Sequence, residues 1–213
     1  MTAASTARSN AAQSDLSDGF STGAFAMTTL IPFVTFKPEA AIIARLLAGY
    51  TNLEIGLLHC VQMATGNFDK SLKAMFRVRG ETNRILKCQE LGEPIYNGLK
   101  LGAPFRDAIG SMRHCLKIRN QYSHCAWWDD NSGQLAFANL EDIARLNIVV
   151  PELGLLPASY VNEGLLAEQE AFFGYVDKLL LWVNLEGRYR AGKLSNRFYP
   201  KPLRMKRPPL RLP

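Results

Sequence analysis

The sequence predicts an all-α protein, a helix bundle of four to five helices with a small β-hairpin insertion and disordered termini. Three observations lead there. Apolar residues recur at helical spacing in long stretches between about residue 39 and residue 190. One place alone reads as paired strands, where Trp127-Trp128 and Gln134–Leu140 flank the turn-forming run Asp129-Asp130-Asn131-Ser132-Gly133. Hydrophobic residues make up 47% of a 213-residue chain, enough for one core. The chain divides into a flexible N-terminal arm over 1–36, a helical domain over 37–190 and a basic Pro/Arg-rich tail over 191–213.

Residues 1–23 are rich in Ala, Ser, Thr and Asp, with too little apolar surface to fold. Met27 is an alternative start to Met1. Leu30–Phe36 is a short apolar stretch suited to an extended arm, and Pro38 then stands near a helix start. The first long helix is expected over about 39–64. Its dense apolar set, Ile42, Ile43, Leu46, Leu47, Tyr50, Leu53, Ile55, Leu57, Leu58 and Val61, predicts burial on most sides. Gly66-Asn67 ends it. A second helix is expected over about 68–91, with Gly80 as an interruption. Gly92 and Pro94 then read as a turn before a short helical piece over 95–101. A third helix spans about 104–125. After the hairpin, 141–160 reads as irregular, and a last helix covers about 164–190.

The net charge is +6 for the whole chain and +7 for residues 191–213, which leaves −1 for everything else. Basicity therefore belongs to the tail, either a solvated end or an attractor for nucleic acid or an acidic surface. The four cysteines include no C-x-x-C pair and the chain needs no disulfide frame, so reduced thiols and a cytoplasmic setting are expected. Ala24–Phe36 is too short, and is preceded by acids rather than bases, to be a secretion signal. No apolar run is long enough to cross a membrane. No glycine pattern fits a phosphate loop or a dinucleotide site, so no cofactor is expected. Each histidine precedes a cysteine (His59-Cys60, His114-Cys115, His124-Cys125), but sequence neighbours diverge by about 100° on a helix, so no metal site is expected.

The third helix carries the chemistry. Phe105, Ile109, Met112, Leu116, Arg119, Ser123 and Ala126 recur at spacings of 4, 3, 4, 3, 4 and 3, one unbroken stripe. Its first four members are large and apolar, the fifth is an arginine and the last two are small. A guanidinium in a core stripe must be paired, because it cannot shed its charge. Either Arg119 meets a carboxylate, the candidates being Glu54, Asp69, Glu81, Glu90 and Glu170, or the stripe opens there into a cleft or a partner subunit. The neighbouring stripe runs Arg113, Lys117, Asn120, His124, which puts Asn120 on the face of His124 and able to orient it. On an ideal helix Arg119 and His124 diverge by about 140°. They converge only if the helix ends near His124 or a second copy supplies the missing group.

Arg119-Asn120-Gln121-Tyr122-Ser123-His124 resembles the R-x4–6-H motif of HEPN (higher eukaryotes and prokaryotes nucleotide-binding) domains, in which a polar residue, often Asn, follows the arginine. Late in the third main helix of a helical chain, the motif also has the position that the family gives it. The resemblance implies a helical bundle, a homodimer and a composite site at the dimer interface. It further implies a metal-independent endoribonuclease of toxin–antitoxin or antiviral-defence type, with RNA as substrate and an antitoxin or regulatory protein as a further partner. Arg119 and His124 would be catalytic, and Asn120, Tyr122 and Ser123 supporting or substrate-binding. The alternative implied by the same resemblance is a catalytically inactive module that binds a nucleotide, RNA or a protein. The chemistry is physically coherent. Cleavage without metal needs a base for the 2′-hydroxyl, an acid for the leaving 5′-oxygen and a fixed cation for the charge on phosphorus. Histidine serves the proton roles and arginine the last. Standing against it, His124 taken alone reads better as a helix-end histidine on the C-terminal carbonyls, and only its pairing with Arg119 favours a site; Trp127 and Trp128 read as core or interface rather than base-stacking residues.

Overall fold

The computed structural model describes residues 31–146, 148–152 and 155–212. The disorder expected for residues 1–23 lies outside the described residues. Among those described, the order is α1 (Ile31–Thr35), α2 (Lys37–Thr65), α3 (Phe68–Phe76), α4 (Glu81–Gly98), α5 (Gly102–Ser123), β1 (Cys125–Asp129), β2 (Leu135–Asn139), α6 (Leu140–Arg145), β3 (Ser159–Val161) and α7 (Glu163–Arg190). The protein is thus a mostly helical bundle with a small antiparallel sheet, as the periodicity predicts.

Helix α2 is the centre of the bundle. It packs most extensively on α7 and also meets α3, α4 and α5. That is why its apolar residues are not confined to one stripe: Ile42, Leu46, Leu53, Leu57 and Val61 are all out of solvent. By length and a mean hydropathy of 1.3, α2 would be long enough to span a bilayer, but these residues form the bundle core. Asn67 starts α3 by accepting the Lys70 amide on its side chain at 2.9 Å. Gly80, at a φ of 78°, makes the break between α3 and α4, because that left-handed backbone costs a glycine nothing.

The expected turn at Gly92 and Pro94 is not there, since α4 runs through both to Gly98. Gly92 serves packing instead. A Cβ at that position would stand 2.5 Å from Cζ of the buried Phe105, so the missing side chain admits the α5 ring against α4. The chain turns later, at Lys100, whose φ is 57°.

The hairpin forms as expected. Strands β1 and β2 pair antiparallel with Trp127 opposite Phe137, and the turn amides of Asn131 and Ser132 donate to the Asp129 and Asp130 carboxylates at 2.9 and 3.0 Å. Trp127 is core, packed among Phe33, Tyr122 and Phe137. The segment expected to be irregular holds more order than its prolines imply. It supplies α6, and also β3, which pairs with β2 and completes a three-stranded sheet.

Both ends of the helical domain are extended by packed segments. The apolar stretch assigned to an arm forms the short helix α1, with the Phe33 ring tilted against Trp127, their centroids 5.5 Å apart. At the other end, the tail expected to be loose folds back: Met205, Leu210 and Leu212 pack on the core. Buried apolar contact and side-chain amides, neither legible from a Pro/Arg-rich composition, hold it there.

Candidate functional site

The core stripe of α5 opens where its composition changes. Phe105, Ile109, Met112 and Leu116 are buried, while Arg119 and Ser123 are partly exposed. Helix α5 ends at Ser123, and His124, its C-cap residue, has left the helix with φ −132° and ψ 51°. The divergence of about 140° expected on a continuous helix therefore does not apply to His124.

Arg119 keeps 30% of its side chain exposed and stands 3.6 Å from Glu81 at the start of α4, one of the five candidate acids. Its Nη1 also donates to the Asn120 side-chain oxygen at 3.0 Å. The other four acids have partners of their own: Glu54 with Arg84, Asp69 with Lys73, Glu90 with Lys87 and Glu170 with Arg45. At 3.6 Å the Glu81 contact is long for a charge-assisted hydrogen bond and leaves donors of the fork free. Beneath it, the Tyr50 hydroxyl is buried without a partner among the described residues. Burial, reinforced by Glu54 and Glu81, pushes its phenol far above the ordinary range.

His124 is 58% exposed, with Nε2 3.4 Å from Glu141. Glu141 lies in the first turn of α6 and also meets Arg145 at 3.4 Å. Sequence reasoning passed over it because 141–160 read as irregular. The missed signal was Asn139, whose side chain accepts the Asp142 amide at 3.0 Å and caps α6, an Asn-x-x-Asp start. The same Asn139 donates to the Asn120 and Gln121 carbonyls at 2.9 and 3.0 Å, which fixes α6 against the end of α5.

The supporting residues divide. Asn120 sits beside Arg119 rather than orienting His124. Ser123 donates to the Asn120 carbonyl at 3.0 Å and closes the last turn. Tyr122 points inward, with its hydroxyl donating to Gln169 at 2.7 Å. The end of α5 thus presents a guanidinium and an imidazole to solvent, each beside a carboxylate, and keeps its aromatic inside. Next to them lies a cleft of about 250 Å³ lined by Lys117, Asn120, Glu141, Arg145 and Leu210, among others.

Cys60, Cys88 and Cys115 are buried, and burial pushes the Cys60 and Cys88 thiols up to about 12. Cys125 is only partly buried, yet burial also pushes its thiol up to about 12, which disfavours a nucleophile beside His124. Among the described residues no three His, Cys, Asp or Glu side chains cluster as a metal site would require. No protein-family model, curated protein or solved structure matches the chain.

Proposed function

We propose that the protein is a HEPN-like, metal-independent endoribonuclease of the toxin or antiphage-defence kind, active as a homodimer. The observation that carries this reading is that α5 ends between Arg119 and His124, so both groups of the R-N-x-x-x-H segment reach solvent at one end of one helix. His124 would take the proton of a ribose 2′-hydroxyl. The 2′-oxygen then attacks the adjacent phosphorus, the bond to the 5′-oxygen breaks, and a protonated imidazole, from the same or the partner subunit, gives that oxygen its proton. Arg119 would hold the phosphoryl oxygens in a two-point contact while charge builds on them. Glu141, placed to hold the imidazole, supports the proton role, and a two-fold axis near the end of α5 would bring two such pairs to one cleft.

A second reading, a catalytically silent module that binds RNA, a nucleotide or a protein, is favoured by the Arg119–Glu81 pair, which gives the guanidinium a carboxylate partner within the chain.

The test is cleavage of a mixed RNA substrate in EDTA by the wild type, Arg119→Ala and His124→Ala. Cleavage by the wild type, lost in both folded variants, supports the ribonuclease. A dimer that binds RNA and cuts none leaves the binding module, and variants that cut as well as the wild type overturn the site.

A further inference from the structure

The C-terminal segment is docked, and by its backbone. The Pro208 carbonyl faces His114 Nε2 at 2.9 Å. The Pro209 and Leu210 carbonyls accept from Gln169 at 2.8 and 3.1 Å, and Leu210 also accepts from Gln121. Beyond them the Leu212 amide donates to Tyr160 at 3.1 Å. Pro208 is buried, and Met205, Leu210 and Leu212 face the core.

The direction of the strand follows from its partners. Arg207 lies beside Gly110, Pro208 beside His114 and Leu210 beside Gln121, so the segment runs along α5 toward the end that carries Arg119 and His124. With these carbonyls and the Met205, Leu210 and Leu212 side chains turned inward, Arg204, Lys206, Arg207 and Arg211 remain exposed. Among the described residues none of the four has a carboxylate within 4.0 Å; Arg211 reaches Ser159 at 3.3 Å instead. Leu210 forms a wall of the cleft that Lys117, Asn120, Glu141 and Arg145 also line. Upstream, Phe198 and Tyr199 are 60% and 58% exposed, between Arg197, which pairs with Glu186 at 3.2 Å, and Lys201, which lies over the Trp182 ring. Cations in a row with exposed aromatic rings beside them fit a single nucleic-acid strand, whose phosphates take the charge and whose bases stack.

We propose that residues 197–211, which run from α7 onto α5, are a fixed basic ridge that binds the phosphate backbone of single-stranded RNA and leads it to the Arg119–His124 end. The choice of RNA rests on the proposed function, whereas the ridge itself does not. A fixed ridge differs from a free basic tail in one measurable way, because its cations are already in place and binding does not have to order them. Undocking the segment without changing its charge therefore weakens binding.

The experiment uses the full chain and a 2′-O-methyl oligonucleotide, which cannot be cleaved, with anisotropy read across a salt series. The variant Lys206→Ala/Arg207→Ala/Arg211→Ala keeps the docking carbonyls. Its affinity is expected to fall about tenfold or more, with the salt slope shallower by about 2 for three lost contacts to single-stranded RNA. Two undocking variants, Gln169→Leu and Leu212→Ser, keep every charge, and release of the segment is verified by faster tryptic cleavage within it. Both are expected to bind several-fold more weakly. RNA affinity unchanged in the charge variant overturns the ridge, as does wild-type affinity in a variant shown to be undocked. So does binding to anionic vesicles that outcompetes RNA. A wild type that cleaves nothing, but loses RNA affinity in the ridge variants, keeps this inference and sinks the ribonuclease reading. Cleavage that depends on Arg119 and ignores the ridge does the reverse.

Discussion

Tyr122 and Gln169 share a hydrogen bond of 2.7 Å between two side chains that are both out of solvent. The other end of the Gln169 amide holds the Pro209 and Leu210 carbonyls, so one buried glutamine ties the candidate motif to the C-terminal segment. Tyr122→Phe removes the donor and leaves the Gln169 oxygen without one. It should cost about 1–3 kcal/mol, read from urea unfolding. Cleavage per folded molecule should stay within severalfold of wild type, since the hydroxyl faces the interior. A large loss of cleavage at full folding would make Tyr122 a substrate contact after all.

Arg119 is asked to hold phosphate while Glu81 stands 3.6 Å away. Arg119→Lys keeps the charge and loses the planar fork, and is expected to lower kcat/KM by about 100-fold. Glu81→Gln removes the competitor for the guanidinium, so the KM for RNA should fall with kcat unchanged. The pair is about one-third exposed on each side, and its loss should cost no more than about 1 kcal/mol of stability. Steady-state kinetics on one RNA substrate separate these effects.

For His124 and Glu141 the expected order of damage is definite. His124→Ala should lower kcat by about 10²–10⁴, the usual worth of a positioned acid–base group. Glu141→Gln should lower it less and leave KM alone, because it affects the orientation of the ring and not RNA binding. Equal losses in the two variants would mean that Glu141 touches the reacting atoms itself.

His114 gives a pH dependence that is independent of any activity. Burial holds its imidazole below the ordinary range, the Pro208 carbonyl opposes this, and the nearby Arg207 and Lys117 add to the burial. As pH falls, the unfolded chain takes up the proton first, near about 6.5, so this part of the stability is full above that pH and is lost as pH drops through the lower, folded value. His114→Gln keeps a donor for Pro208 and should flatten the loss as pH falls below about 6.5. Unfolding free energies of the two proteins across that window decide it. The carboxylates that are held low, Glu170 by Arg45 and Glu93 by Gln89 and then Arg106, titrate below it and are common to both.

Gly92→Ala tests the close approach of α4 to α5. The added Cβ would stand 2.5 Å from Phe105 Cζ, and Phe105 is fully buried and stacked 4.4 Å from Tyr96, so the ring has nowhere to go. The expected loss is about 1–3 kcal/mol of stability, although alanine favours helix over glycine. Thermal unfolding that shows a gain would mean that the ring yields.

What the sequence by itself determined is what local physics encodes. The spacing of Phe105, Ile109, Met112 and Leu116 made α5 a helix with a buried face, and the arginine that follows marked where that face opens. The Asp-Asp-Asn-Ser-Gly run made the hairpin. Gly80 broke the second helix where its left-handed backbone requires. Gly92 and Pro94 misled because local preferences forecast a break, while a ring from another helix filled the space beside Gly92. Only the tertiary structure decided which acids meet Arg119 and His124. Glu81 and Glu141 lie 38 and 17 residues away from them, and no local periodicity carries a pairing across such distances. It alone decided the fate of the tail as well, since Pro208, Pro209 and Leu210 dock through backbone carbonyls, which every residue has, onto the amides of Gln121 and Gln169 and the His114 ring. Backbone groups leave no mark in composition, so a segment that reads as seven loose cations became a docked segment beside the candidate site.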